Sequence, residues 1–233
     1  MNPRYSLVVP FHNEAGNVVP LLETATGVLS RLGAPFEVVL VDDGSTDSTG
    51  AEIAEAAARW PECRELRLPE RAGQAGALLE GLRSARGDII LTMDGDGQND
   101  PRDFPALMEP VEAGRLDLAC GWRVERRDAR WRRLASRLAN GVRSTILRDG
   151  VHDSGCQMRV MRRDVLGVLR RMELLQAFIP ALAAAGGFRV GELPVNHLPR
   201  LHGRSKYGFA ELWWRPAVAM LRLRWALWRR RTP

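Results

Sequence analysis

Over its first 120 residues the chain alternates short apolar runs with longer amphipathic stretches. Ser6–Val9, Phe36–Val41, Glu65–Leu68 and Asp88–Thr92 are too short for helices and carry β-branched or alternating apolar residues, which predicts strands. Between them the apolar spacing predicts helices near 16–32, 47–59 and 74–86, and a fourth near 102–113. Regular alternation of strand and helix predicts an α/β fold, a mainly parallel sheet flanked by helices. Gly33 and Gly87 stand where left-handed glycines would stop the first and third helices. Asp100-Pro101 supplies a capping carboxylate and a proline in the first turn of the fourth.

Leu116–Cys120 predicts a fifth strand, after which the pattern changes. A basic run holds Arg123, Arg126, Arg127, Arg130, Arg132, Arg133 and Arg137, and enters a helix with Trp131, Leu134, Leu138 and Val142 on one side. The stretch 156–195 predicts two more helices and a strand over Phe188–Val195, followed by a polar, glycine-bearing loop from Asn196 to Tyr207. Residues 1–208 are expected to form one catalytic domain, and residues 209–233 a basic amphipathic C-terminal helix. That helix holds Trp213, Trp214, Trp225 and Trp228, with Glu211, Arg215, Arg222 and Arg229 in one narrow stripe. Aromatic residues and arginines so arranged suit an anionic membrane surface; packing on the catalytic domain or on a partner subunit is the other reading.

Lys and Arg outnumber Asp and Glu by 34 to 28, a net charge of +6 that calls for an acidic partner. Nucleic acid, anionic lipid and a phosphorylated substrate all qualify, but no recognised nucleic-acid motif accompanies the arginines, so a nucleic-acid partner is not expected. Cys63, Cys120 and Cys156 are scattered and lack zinc spacing, which predicts reduced thiols in a cytosolic protein. Neither a signal peptide nor a membrane-spanning segment is expected.

The unusual residues fall where predicted strands end. The first ends in Pro10-Phe-His-Asn-Glu14, the second in Asp42-Asp-Gly-Ser-Thr-Asp47, and the fourth in Met93-Asp-Gly-Asp-Gly-Gln98. In an open parallel sheet these ends converge on the ligand crevice. One Asp-Gly pair is an ordinary turn; three acidic strand ends at one rim point to a site. Asp94 and Asp96 flank a glycine, and Gln98 adds an amide oxygen, a set of hard donors suited to Mg²⁺ or Mn²⁺ shared with phosphate. His152, His197 and His202 show no metal spacing and read as loop hydrogen-bonders.

The segments VVPFHNE, VDDGSTD, MDGDGQ, GWR, SRLAN, DSGCQMRVMRRDV and PRLHGRSKYG, in this order, resemble family 2 glycosyltransferases of the GT-A fold, in particular the polyprenyl-phosphate and dolichyl-phosphate mannosyltransferase-like group. The resemblance implies a metal-dependent, inverting hexosyltransferase that moves one sugar from GDP-mannose or a UDP-sugar to a polyprenyl phosphate. It assigns Pro10, His12, Glu14, Asp42, Asp43, Asp94, Arg200 and Lys206 to the nucleotide sugar, and Asp94, Asp96 and Gln98 to the metal. Arg123, Ser136, Arg137 and Ser205 match the acceptor-phosphate site, with Asp96, Arg123 and Arg137 as catalytic residues.

His12 departs from the aromatic residue usual in the family, and the DSGCQMR segment resembles the bacterial lipid-phosphate transferases more than the eukaryotic mannosyl enzymes. Many members continue into transmembrane helices that are not expected here, so peripheral attachment at the cytoplasmic membrane face or a separate membrane-anchoring protein is expected, with a homo-oligomer as a further partner state. Asp153 is the nearest candidate base, with a structural role, capping or pairing with an arginine, as the competing reading. A different, non-prenyl acceptor in cell-envelope glycan synthesis is the alternative within the enzymes, and a basic nucleic-acid-binding protein the alternative outside them.

Overall fold

The computed structural model describes residues 2–123, 141, 143–147, 149–199 and 218–224. Seven strands form one sheet: β1 (Tyr5–Phe11), β2 (Phe36–Asp42), β3 (Cys63–Arg67), β4 (Ile89–Thr92), β5 (Leu118–Arg123), β6 (Arg159–Arg162) and β7 (Val190–Val195). Their order is β3-β2-β1-β4-β6-β5-β7, with β6 antiparallel to both its neighbours and every other pairing parallel.

Helices cover both faces, as a parallel sheet requires. On one side lie α1 (Val18–Ser30), α2 (Thr49–Arg59) and α4 (Phe104–Glu112), which bury Leu22, Ile53 and Phe104 against Leu7, Val9 and Leu40. On the other lie α3 (Gly73–Ser84) and α5 (Leu175–Ala185), which bury Leu82, Phe178 and Ile179 against Val8, Val39 and Ile90. Successive residues of β1 thus enter opposite cores, which is why its sequence is apolar without alternation.

Several expectations need correction. The stretch 156–195 holds one α-helix rather than two: its first part is β6 followed by a 3₁₀ segment, Arg163–Val168. Strand β5 runs on to Arg123, so this arginine ends the strand instead of following it. Gly33 does take a left-handed φ of 69° past the end of α1. Gly87 does not; a side chain there would put its Cβ 2.7 Å from the backbone of Tyr5 and Ser6, so close approach of two backbones demands the glycine. Asp100 caps as expected, its carboxylate accepting from Arg102 N, and the first turn after Pro101 is 3₁₀ before α4 begins.

The three cysteines are free and buried. No helix among the described residues is long and apolar enough to cross a membrane.

Candidate active site

Strands β1 and β4 pair only from Tyr5↔Ile89 to Val8↔Thr92, whereas β1 stays on β2 to Phe11↔Asp42. Beyond Val8 the two part, and this is where the sheet order switches direction, the place where α/β sheets open a crevice. Pro10, which has no N–H to give to a ladder, sits in the stretch of β1 that pairs with β2 but not with β4.

The turn 94–98 occupies the opening. Gly95 is buried against β1; a Cβ there would lie 2.4 Å from the Phe11 ring and 3.0 Å from Pro10 O, so only glycine lets the acidic turn lie this close to the first strand. Gly97 adopts a φ of 73°. Asp96 Oδ1 accepts from Gln98 N at 3.1 Å, closing the turn, and Asp94 N donates to Asn99 Oδ1 at 3.2 Å. The turn is tied to the segment after β7: Leu198 N donates to Gln98 O at 2.9 Å, Gln98 Nε2 lies 3.4 Å from His197 Nε2, and Asn99 forms a bridge with His197.

Burial, and then the charge of Asp96, push the Asp94 carboxyl well above the ordinary carboxylate range; a hydrogen bond from Gln74 and the charges of Arg159 and Arg123 offset part of that rise. Two carboxylates that repel each other in a crevice form a donor set a divalent cation would relieve. Among the described residues no group of three or more His, Cys, Asp or Glu side chains gathers to hold a metal. Asp94 and Asp96 would therefore supply part of an oxygen shell and leave the rest to a ligand's oxygens and water, the usual habit of Mg²⁺.

The loops after β1 and β2 latch onto each other. Asn13, at φ 51°, accepts from Thr46 N at 2.8 Å, Gly16 N donates to Glu52, Ala15 N donates to Asp47, and His12 Nδ1 lies 2.9 Å from Asp43 O. Glu14 N donates to Thr49 Oγ1 at 2.8 Å while its carboxylate accepts from Asn17 at 2.9 Å. Asp42 and Asp43 are both buried; Asp42 Oδ1 accepts from Ser45 N at 2.9 Å and Asp43 Oδ1 from Ala72 N at 2.6 Å. The acidic motif VDDGSTD thus shapes its loop with its own carboxylates, and brings Pro10, His12, Glu14, Asp42 and Asp43 to the rim shared with Asp94.

At the end of β5, Arg123 meets Asp153 in a two-pronged pair, both contacts at 2.8 Å. Burial disfavours the charged guanidinium, but the hydrogen bonds and charge of Asp153 outweigh it and raise its pKa. Asp153 is held in turn: Glu192 on β7 accepts from the backbone N–H groups of His152 at 2.7 Å and Asp153 at 2.9 Å. Of the roles open to Asp153, the geometry favours pairing with an arginine.

Sequence reasoning passed over Arg159, Gln74 and Glu192 here. Arg159 is completely buried on β6, donating to Gln157 Oε1 at 2.8 Å and Ser154 O at 3.2 Å, and its charge bears on Asp94. Gln74, in the first turn of α3, donates to Asp94 Oδ1 at 2.9 Å. His197, read from the sequence as a loop hydrogen-bonder, lies 3.4 Å from Gln98 through Nε2. Only Gln74 left a signal, since RAGQAG is a glycine-bearing turn between a predicted strand and a predicted helix. Ser136, Arg137, Arg200, Ser205 and Lys206 lie outside the described residues.

The fold is similar to that of glucosyl-3-phosphoglycerate synthase from Mycobacterium tuberculosis in complex with Mn²⁺ and uridine-diphosphate-glucose, with a TM-score of 0.72 at 19% identity over 95% of this chain and 79% of that one. It is also similar to a mannosyltransferase from Pyrobaculum calidifontis in complex with GDP-Man and Mn²⁺, with a TM-score of 0.65 at 23% identity over 100% of this chain and 66% of that one. Among curated relatives, dodecaprenyl-phosphate galacturonate synthase of Rhizobium johnstonii is 38% identical over 209 residues, covering 88% of this chain and 62% of that protein. Undecaprenyl-phosphate 4-deoxy-4-formamido-L-arabinose transferase of Edwardsiella ictaluri is 37% identical, covering 89% of this chain and 64% of its own length. The chain thus spans less than two thirds of the length of these relatives. Residues 6–170, which include Pro10, Asp94, Arg123 and Asp153, match the family model for glycosyl transferase family 2, and the chain belongs to that family.

Proposed function

We propose that the chain transfers one sugar, with inversion, from a nucleotide diphosphate sugar to a polyprenyl phosphate at the cytoplasmic face of a membrane. The observation that carries this reading is the pairing of the Asp94-Gly95-Asp96 turn at the β1/β4 switch point with a mostly buried Arg123 at the end of β5. The relatives at 37–38% identity, both named for prenyl phosphates, support the acceptor class.

Breaking the bond from the anomeric carbon to the diphosphate leaves negative charge on the departing phosphate. Asp94 and Asp96 would hold Mg²⁺ or Mn²⁺ there, and the cation would neutralise that charge as it develops. Arg200 and Lys206, by the family resemblance, would add cations from the loop after β7. A phosphate acceptor is already ionised near neutral pH and needs no strong base, which agrees with the engagement of Asp153 by Arg123. Arg123 would present its remaining donor edge to a phosphate, a geometry that suits a guanidinium better than an ammonium. Arg137, Ser136 and Ser205 are assigned to the same acceptor by the resemblance alone.

The test is a donor screen with purified full chain, Mn²⁺ and a short polyprenyl phosphate, using GDP-mannose, UDP-glucose, UDP-N-acetylglucosamine and related uronic and amino sugars. Transfer from one of them supports the reading. Turnover of a donor with soluble acceptors but with no prenyl phosphate overturns the acceptor.

A further inference from the structure

The Asp94 carboxylate is the end of a chain of three side chains that begins on another helix. Gln176, in the first turn of α5, donates its Nε2 to Gln74 Oε1 at 3.2 Å, and Gln74 on α3 donates its own Nε2 to Asp94 Oδ1 at 2.9 Å. Gln176 is 7% exposed, and its Oε1 is buried without a hydrogen-bond partner. A buried carbonyl left unsatisfied costs free energy, so its persistence asks for a reason.

The reason lies at the other end. As a metal ligand Asp94 is ionised and can only accept hydrogen bonds, whereas an amide has one donating and one accepting side. Asp94 therefore obliges Gln74 to present its NH₂, which turns the Gln74 carbonyl towards α5. Gln176 must answer with its own NH₂, and its carbonyl is left facing away. Reversing Gln176 would set two carbonyl oxygens against each other, and reversing both amides would set a carbonyl against the Asp94 carboxylate. The unsatisfied oxygen is what remains when the polarity of the chain is dictated by the acid.

We propose that Gln176 is a positioning residue for the metal-binding turn: it locks the Gln74 amide in the orientation that aims Asp94, and so sets the affinity of the turn for a divalent cation. The inference rests on the reading of Asp94 and Asp96 as metal ligands. Gln176 acts at a distance, and it has no need to touch the cation or the sugar nucleotide.

The experiment is a Mn²⁺ titration of the metal-free full chain without nucleotide, reading free Mn²⁺ by electron paramagnetic resonance, with thermal melts of every variant and Asp96→Ala as the control that removes a proposed ligand. Gln176→Leu keeps the bulk and removes both the donor and the stranded acceptor. Its melting temperature is expected to equal or exceed that of the wild type while Mn²⁺ affinity falls about 10-fold, a loss in the range typical of outer partners of metal ligands. Gln176→Glu, which faces Gln74 with an acceptor and forces its amide to turn, is expected to lose more. Gln74→Leu/Gln176→Leu should bind no more weakly than Gln74→Leu alone, because Gln176 works only through Gln74.

Gln176→Leu and Gln176→Glu binding Mn²⁺ as the wild type does, while Asp96→Ala does not, overturns the relay and leaves the metal reading standing. A wild type that binds Mn²⁺ no better than Asp96→Ala overturns the metal reading, and the relay with it.

Discussion

Arg123 and Asp153 are locked together through both prongs of the guanidinium, and the backbone N–H of Arg123 reaches the same carboxylate at 3.3 Å. With side chains only 16% and 4% exposed, the pair is nearly removed from water. Breaking it by truncating one partner leaves a buried charge uncompensated, which costs about 3 to 5 kcal/mol. Asp153→Ala is therefore expected to lower the stability of the fold by about that amount in urea unfolding. Asp153→Asn keeps one acceptor for Arg123 and should cost less. If Asp153 orients Arg123 and takes no proton, the Asn variant retains turnover with an unchanged pH profile; loss of all turnover, recovered by raising the pH of the reaction, would point to a base instead.

Asp96 carries the sharper test of the metal. Its carboxylate closes the 94–98 turn through Gln98 N, a local bond whose loss the surrounding packing of Met93, Gly95 and Phe11 should absorb. Asp96→Ala is expected to keep its melting temperature within a few degrees of the wild type. A catalytic metal contributes several kcal/mol of charge stabilisation, so Mn²⁺-dependent turnover should fall by at least about 100-fold. Full activity in the variant would remove the metal role from this turn.

Most of the fold was legible because its strands are buried on both faces. Val8, Val39, Leu40 and Ile90 need no alternation to be recognised, since a short unbroken apolar run between glycine and proline punctuation has few other uses. Strand β6 was not legible for the opposite reason. Its four residues, Arg159–Arg162, begin with an arginine that is completely buried, and a sequence reader takes arginine for surface. The site divides in the same way. Asp94 and Asp96 announced themselves by clustering at a strand end. The relation of Gln74 to Asp94, or of Glu192 to Asp153, joins residues 20 and 39 positions apart, and depends on which strands become neighbours. Strand order is what the local pattern does not encode.

Asp117, just before β5, and Arg189, just before β7, tie the two strands together at their starts through contacts of 2.9 Å at both carboxylate oxygens. The hydrogen bonds from Arg189 lower the Asp117 pKa from its ordinary 3.8 to about 2. A folded-state pKa below the unfolded one means the pair contributes stability fully above the unfolded value and loses it as pH falls through the folded one. Asp117→Asn is thus expected to melt below the wild type at neutral pH, with the gap closing between pH 4 and pH 2. Because Arg189 is more than half exposed, the gap should also shrink in high salt. A gap that stays constant as the pH falls would mean that the side chain acts by shape and not by charge.

The segment 218–224 offers a way to separate packing from membrane contact near the C-terminal end. It is helical, and Ala219 and Leu223, one turn apart, are buried in the core with α5. Val218 and Leu221, by contrast, are 38% and 59% exposed. The inner side of this helix therefore packs in the core, and the side that carries Val218 and Leu221 is open to solvent. Removing everything after Tyr207 would strip both sides at once, and a loss of vesicle binding could then reflect a damaged core. Val218→Asp and Leu221→Asp change the outer side alone. If that side dips into the headgroup region beside the arginines, each substitution should weaken flotation with vesicles containing anionic lipid while leaving the melting temperature within a few degrees of the wild type. Raising the salt should weaken flotation of the wild type as well, because basic residues and anionic lipid attract only within a Debye length. Undiminished flotation of both variants at low salt would confine the helix to a packing role, and would move the search for the membrane contact to other surfaces of the chain.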